Sequence, residues 1–294
     1  MNILLLGKDG QVGYELQRTL LPLGDLATLG RKQADLTDLA SLGHILNTLR
    51  PDVIVNAAAY TAVDKAENDE ATAYKVNAEA VGTLAKYAYD NGALLVHYST
   101  DYVFDGLRTT AYLETDAVNP LSVYGQSKQA GEAAILNSRC NSLIFRTSWV
   151  FSAHGKNFVK TMLQLAQERD SLSIVADQIG TPTSAELIAD VTALAIAAHG
   201  GKAIATGLYH LTATGKTSWH GLASHVLERA THNGIDLKTK HLRPIPTEDY
   251  PLPAKRPQNS CLDTGKLSAA LGLELPDWTL HVDRTVDQLT LRKN

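Results

Sequence analysis

A tyrosine and a lysine stand four residues apart in Tyr124-Gly125-Gln126-Ser127-Lys128. On a helix that spacing puts them one turn apart on the same side. An ammonium beside a phenol favours the phenolate and lowers its pKa toward neutrality. The tyrosine then becomes a usable general acid or base. Far upstream, Gly7, Gly10 and Gly13 form a G-x-x-G-x-x-G turn in Gly7-Lys8-Asp9-Gly10-Gln11-Val12-Gly13. Such a turn, between a strand and a helix, holds a dinucleotide pyrophosphate. Ser99-Thr100-Asp101 supplies hydroxyls that could bond a substrate carbonyl oxygen beside the phenol. Each pattern alone is common. Their combination points to proton transfer beside a nicotinamide, which is oxidoreductase chemistry on an alcohol or ketone.

The elements that must position these residues alternate. Ile3 to Leu6 reads as a buried strand, Gln11 to Leu21 as a helix stopped by Pro22 and Gly24, and Leu26 to Leu29 as a second strand. Leu39 to Leu49 is a helix, Asp52 to Ala57 a strand, and Ala66 to Asn91 largely helical. Ala93 to Tyr98 is a strand, Ser127 to Asn137 lies on a helix, and Leu143 to Thr147 is a strand. This alternation predicts an α/β fold with a doubly wound parallel sheet of Rossmann type. Residues 1–150 form its dinucleotide-binding domain, and 184–213 return to it through a helix, Ser184 to Ala198, and a strand, Gly207 to Leu211. Between them lie a helix from Phe158 to Gln167, a strand from Leu172 to Val175 and a turn at Gly180-Thr181-Pro182. Residues 151–183 and 214–294 are assigned to a smaller substrate-binding lobe, with a proline-rich loop from Pro244 to Ser260. Such a lobe would cover the C-terminal strand ends, where ligands bind in these sheets.

Within the turn, Gly7 allows the tight bend, Gly10 lets the backbone approach the pyrophosphate, and Gly13 lets the helix pack on the sheet. The second strand ends in Leu29-Gly30-Arg31-Lys32, without the acid that would accept from a ribose 2′-hydroxyl. Arg31 there can pair with a 2′-phosphate, which favours NADPH over NADH. Asp35 and Leu36 fit a contact near the adenine amino group, and the small side chains of Ala57, Ala58 and Ala59 suit close approach to the cofactor.

These residues resemble the extended short-chain dehydrogenase/reductase superfamily. Four segments narrow the resemblance: Ala57 to Glu67, Ser99 to Phe104, Phe145 to Val150, and Arg256 to Ser260. They are similar to the dTDP-4-dehydrorhamnose reductase family over nearly the whole chain. The resemblance implies NAD(P)H-dependent reduction of the C4 ketone of dTDP-4-dehydro-L-rhamnose, in nucleotide-sugar synthesis for cell-surface polysaccharide. It implies Thr100, Tyr124 and Lys128 as the catalytic set. It implies cofactor contacts at Gly10, Gln11, Val12, Asp35, Leu36, Ala57, Ala58, Ala59, Tyr98, Tyr124 and Lys128, and sugar contacts at Thr100, Asp101 and Trp149, with Val63 and Arg256 as further candidates. Trp149 offers a flat apolar face to a deoxysugar, or else fills a domain junction. Arg256 could fork onto a diphosphate. Related dehydratases carry Asp-Glu after the hydroxyl residue; here Tyr102 follows Asp101, so elimination lacks its second carboxylate. A nucleotide-sugar 4-epimerase and a non-catalytic dinucleotide-binding subunit are the alternatives. The second would be expected to lose Tyr124 or Lys128.

The resemblance also implies a homodimer, with Mg2+ held at its interface by glutamates. Glu15 and Glu186 match two such positions, but the third is Gln288. A hard cation prefers carboxylate oxygen, which argues against a tightly bound Mg2+. Other function classes lose support from composition. The 27 basic against 31 acidic residues, with no basic run, leave no footprint for nucleic acid. The apolar opening is ended by Gly7 and lacks a basic n-region, so it is not a signal peptide, and no apolar run reaches membrane-spanning length. Cys140 and Cys261 are expected as free thiols of a cytoplasmic protein.

Overall fold

Buried apolar strands followed by amphipathic helices dictate a layered structure, and the computed structural model, which describes residues 1–291, has one. Strand β1 (Asn2–Leu6) leads through the glycine turn into α1 (Gln11–Leu20), then β2 (Asp25–Leu29), α2 (Leu39–Leu49) and β3 (Val53–Asn56). The long helical stretch is broken into α3 (Val63–Ala66), α4 (Glu70–Tyr74), a π-type turn at Lys75–Glu79, and α5 (Ala80–Asn91), which Gly92 ends in the left-handed region. Next come β4 (Leu94–Thr100), α6 (Val123–Ser138), β5 (Ser142–Thr147), the short β6 (Val150–Phe151), α7 (Phe158–Glu168) and β7 (Ser171–Val175). The chain continues through β8 (Ile179–Gly180), β9 (Thr183–Ser184), α8 (Ala185–Gly200), β10 (Gly207–His210), β11 (Thr217–Ser218) and α9 (Trp219–His232). It ends with β12 (His241–Ile245), α10 (Gly265–Leu271) and α11 (Trp278–Thr290). Residues 292–294, which the sequence reading placed in the lobe, lie outside the described residues.

Six strands form one parallel sheet in the order β10-β5-β4-β3-β1-β2. The central strands β1, β3, β4 and β5 are buried almost throughout, as expected of a sheet covered on both faces. Helix α8 packs on α1, and β10 extends the sheet beyond β5. The strand order reverses between β1 and β3, which opens a crevice beyond their C-terminal ends.

Several boundaries differ from the sequence pattern. Strand β4 runs on through Ser99 and Thr100, because both hydroxyl residues pair with β5 beside Arg146 and Thr147. Helix α6 begins at Val123 rather than near Ser127. Ser122 caps it by accepting from Gly125 N–H at 3.2 Å, and Glu67 accepts from Val123 N–H at 2.9 Å. The proline-rich segment is not all loop: Pro244 and Ile245 belong to β12, which pairs with β7 in a two-stranded parallel sheet. A proline is tolerated on such a strand because one edge needs no donor. Cys140 and Cys261 are both buried and free.

Helix α6 approaches the π-type turn so closely that a Cβ on Gly131 would lie 2.1 Å from the Asn77 carbonyl oxygen. Asn77 in turn donates to Ser127 Oγ and to the Tyr60 carbonyl, both at 3.0 Å, and accepts from Tyr60 N–H at 2.9 Å. Gly131→Ala is therefore expected to lower stability by about 1–3 kcal/mol, the usual cost of overpacking. Urea unfolding of the variant against the parent checks this; an unchanged midpoint would contradict it.

Candidate active site

The crevice is a cleft of about 940 Å³. Its lining brings together, from both ends of the sequence, nearly every residue singled out above. Gly7, Gly10, Gln11 and Val12 come from the first turn; Arg31, Asp35 and Leu36 follow β2; Ala57, Ala58, Ala59 and Val63 follow β3. Tyr98, Thr100 and Asp101 come from the end of β4, Tyr124 and Lys128 from α6, and Trp149 from the end of β5. Gly13 and Arg256 do not line it.

The first turn is a cradle that side chains would fill. Gly7 has φ +85°, and a Cβ there would lie 2.6 Å from the Ala58 nitrogen. A Cβ on Gly13 would strike the Gly7 carbonyl oxygen at 2.0 Å, so this glycine serves helix packing rather than ligand contact. Gly10 is the N-cap of α1 and offers no side-chain cap, so the first N–H groups of that helix face the cleft unshielded. Three buried oxygens along the cleft, Ser99 Oγ, Thr147 Oγ1 and Asp101 Oδ2, have no hydrogen-bond partner among the described residues. This lining fits a dinucleotide and a polyhydroxy substrate better than a structural packing role, because buried polar atoms are normally satisfied.

In the loop after β2 the Arg31 side chain is 81% exposed, and its Nε lies 3.6 Å from Asp35 Oδ2. Asp35 accepts from the Thr37 N–H and hydroxyl, both at 2.9 Å, and these bonds hold its carboxyl below the usual range. Arg31 is thus positioned without being tied down.

At the other end Thr100 and Tyr124 both line the cleft. Thr100 Oγ1 donates to Asp101 Oδ1 at 3.0 Å and accepts from Tyr102 N–H at 3.2 Å. Burial pushes the Tyr124 phenol up to about 12, against a smaller lowering by the Thr100 hydroxyl. This corrects the expectation that Lys128 acidifies the phenol. The Lys128 nitrogen is turned to strand β4, where it donates to the Tyr98 carbonyl at 2.6 Å and lies 3.2 Å from His97 Nε2. Burial lowers the lysine itself to about 8, partly offset by Glu132. Beneath it Arg146 grips Glu132 with two bonds of 2.8 and 2.6 Å.

The far wall is aromatic. Trp149, in the left-handed region at φ 47°, stacks on Trp219 with ring centroids 3.5 Å apart and planes 6° from parallel. Both line the cleft, so the two readings of Trp149 merge: one face packs on a neighbour while the residue still borders the cleft. Tyr102 is half-buried with its ring edge-on to Tyr124 at 6.0 Å. Arg256 does not fork toward a ligand. Its guanidinium donates to both oxygens of Asp64, at 3.1 and 2.7 Å, and to the Ala254 carbonyl. Trp219, Tyr102 and His97 were missed as site residues in the sequence. Only Tyr102, adjacent to Thr100-Asp101, carried a local signal.

Of the two glutamates considered for a cation, Glu15 is raised by burial and by the neighbouring Glu186. Glu186 accepts from Arg284 at 2.7 Å and from Gln288 at 3.1 Å. No group of three or more metal-ligating side chains exists among the described residues. No helix among them is long and apolar enough to cross a membrane.

Asp101 provides a test of the site's burial. Its carboxyl is fully buried, and desolvation pushes it from 3.8 up to about 7. The fold therefore favours the protonated form. The stability this contributes is complete below the unfolded-state value and is lost as pH rises toward 7. Asp101→Asn keeps the shape and removes the titration. It is expected to flatten the fall in stability between pH 4 and 7 and to be roughly 2–4 kcal/mol more stable than the parent at pH 8. Urea unfolding at pH 5 and pH 8 measures both; an unchanged pH dependence would contradict the assignment.

Comparison with known proteins agrees with this geometry. The family model for the RmlD substrate binding domain matches residues 1–291. A dTDP-4-dehydrorhamnose reductase of Shigella flexneri is 50% identical over 293 residues, covering 98% of each chain. Among solved structures, a dTDP-4-dehydrorhamnose reductase of Clostridium acetobutylicum superimposes with a TM-score of 0.91 at 36% identity, over 98% of this chain and 99% of that one. Another from Bacillus anthracis, in complex with NADP, gives a TM-score of 0.89 at 34% identity, over 97% and 98% of the two chains. With a glycine cradle at one end of its cleft and Thr100, Tyr124 and Lys128 lining the other, this chain belongs to the RmlD family, the family of the dTDP-4-dehydrorhamnose reductases.

Proposed function

We propose that the protein reduces the C4 ketone of dTDP-4-dehydro-L-rhamnose to dTDP-L-rhamnose with NADPH. The observation that carries this reading is that Thr100 at the end of β4 and Tyr124 and Lys128 on α6 line the same cleft as the glycine turn. A protonated phenol is what a carbonyl reduction needs, and burial keeps Tyr124 protonated at neutral pH. Bound NADPH supplies the hydride to C4. Tyr124 Oη would give its proton to the carbonyl oxygen, and the Thr100 hydroxyl would bond that oxygen beside it. Asp101 is placed to bond a sugar hydroxyl, and Trp149 presents an apolar wall to the methyl-bearing face of a deoxysugar. Tyr102 occupies the place where an eliminating enzyme would need a carboxylate, and a phenol with a raised pKa cannot act as that base.

The residues proposed to hold the cofactor are Gly7, Gly10, Gln11 and Val12 at the pyrophosphate, Arg31, Asp35 and Leu36 at the adenosine, Ala57 to Ala59 along the backbone, and Tyr98, Tyr124 and Lys128 at the nicotinamide ribose. The relatives' names support the dTDP-sugar, and the NADP-bound relative supports the cofactor. We assign residues 1–150 and 184–213 to the dinucleotide-binding body and the remainder to the sugar-binding lobe, and place the protein in the cytoplasm as a homodimer.

An assay of NADPH oxidation with dTDP-4-dehydro-L-rhamnose, followed by sugar analysis, tests the reading. Stoichiometric oxidation with formation of dTDP-L-rhamnose is expected; interconversion of 4-epimers without net NADPH consumption would contradict it. Tyr124→Phe is expected to lower kcat by about 10²-fold or more; near-native turnover would remove the acid assignment. Arg31→Ala is expected to weaken binding of NADPH more than of NADH. Equal weakening of the two, measured by fluorescence titration, would remove the 2′-phosphate role.

A further inference from the structure

Beneath the cleft, three buried side chains join the cofactor turn to Lys128. Asn56 ends β3, His97 lies on β4 and Lys128 on α6, and each is at most 2% exposed. Asn56 Oδ1 accepts from Ala58 N–H at 3.2 Å. A backbone N–H can only donate, so the amide oxygen must face it and Nδ2 must face the opposite way. Nδ2 meets His97 Nδ1 at 3.1 Å. The amide N–H donates there, so Nδ1 is an acceptor, and the single proton of a neutral ring sits on Nε2. Burial, the larger cause, holds His97 well below its ordinary 6.5, so the ring is neutral. Its Nε2 lies 3.2 Å from Lys128 Nζ, which also donates to the Tyr98 carbonyl at 2.6 Å.

An Nε2–H and an ammonium are both donors, and facing each other they repel. An amine with a lone pair accepts instead. We propose that Asn56 and His97 form a directional hydrogen-bond line that fixes the Nε2–H form of His97 and so disfavours the ammonium of Lys128 relative to its neutral amine in the nucleotide-free protein. His97 is thus a positioning residue for the reducing site. This rests on Lys128 belonging to that site, as argued above. The other titratable groups around Lys128 are Tyr124 and Glu132 on its own helix, Glu132 being held by Arg146 of β5, and Asp101 beyond β4. Glu132 pulls the proton toward the lysine, and burial opposes it more strongly.

The line also reaches the cofactor turn. Reversing it requires the Asn56 amide to rotate, which breaks its bond to Ala58 N–H. That nitrogen would lie 2.6 Å from a Cβ on Gly7, so the two loops are in contact. The charge of Lys128 is therefore coupled to the backbone that cradles the pyrophosphate.

The full-length protein labelled with 13C and 15N in histidine tests this without turnover. His97→Gln identifies the His97 signals. Between pH 6 and 8 the wild-type ring is expected as a non-titrating Nε2–H form; an Nδ1–H form or an imidazolium would overturn the proposal. Asn56→Asp replaces the donor with an acceptor and is expected to convert the ring to Nδ1–H. It is also expected to move the Lys128 transition in the pH profile of kcat/KM up by about one unit or more, the scale on which a facing acceptor shifts a neighbour. A folded Asn56→Asp protein with an unchanged ring form and profile would likewise overturn it. Lys128→Met separates the two readings. Loss of turnover by about 10²-fold or more upholds the site on which the line depends, and near-native turnover removes that site and the line's role with it.

Discussion

A lysine nitrogen cannot be buried without a partner, and this requirement organises the site. Lys128 is 2% exposed, and its nitrogen is satisfied by the carbonyl oxygen of Tyr98, 2.6 Å away on the neighbouring strand. That bond sets where α6 lies along β4. With the helix so placed, Tyr124 falls one turn earlier, beside Thr100 at the strand's end. The packing of Gly131 on the Asn77 backbone and the Asn77–Ser127 bond hold the other side of the same helix. The buried Arg146–Glu132 pair secures its second turn below Lys128. The catalytic geometry is therefore a consequence of how one helix satisfies its polar groups between a strand and a bulged turn.

Much of this was legible in the sequence because it depends on local rules. Continuous apolar runs marked β1, β3 and β5, and the glycine spacing marked the first turn, whose steric demands at Gly7 and Gly13 are those inferred. The pairing of Tyr124 with Lys128 followed from helix periodicity, and the choice of Thr100 beside them from the family resemblance. What was not legible depends on contacts between distant segments. The start of α6 is fixed by Glu67, far upstream, as well as by Ser122. The direction of Lys128 is fixed by a backbone carbonyl, which no side-chain pattern reveals. Its spacing from Tyr124 suggested an ion pressing on a phenol; the nearer carbonyl won, and burial raises the phenol instead. Trp219 reaches the cleft only because α9 brings it onto Trp149.

The C-terminal third of the chain is fastened to the sheet domain on a different principle. Asp64, just beyond the β3 loop, receives both arms of Arg256, and this tie fastens the proline-rich segment across the edge of the sheet. The paired indoles of Trp149 and Trp219 close one side of the cleft, with Gly180 permitting the approach: a Cβ there would lie 2.5 Å from Trp149. The same architecture with a carboxylate in place of Tyr102 would suit elimination. With a phenol packed edge-on to Tyr124, proton donation to a ketone oxygen is the chemistry this cleft can perform.

The account stands on hydride and proton arriving at the same carbonyl inside this cleft. The most direct measurement is to turn over dTDP-4-dehydro-L-rhamnose with NADPH deuterated at both C4 positions and to locate the label by mass spectrometry and NMR. One deuterium bound to C4 of dTDP-L-rhamnose is the predicted result. Product without deuterium, or with deuterium at another carbon, would contradict it.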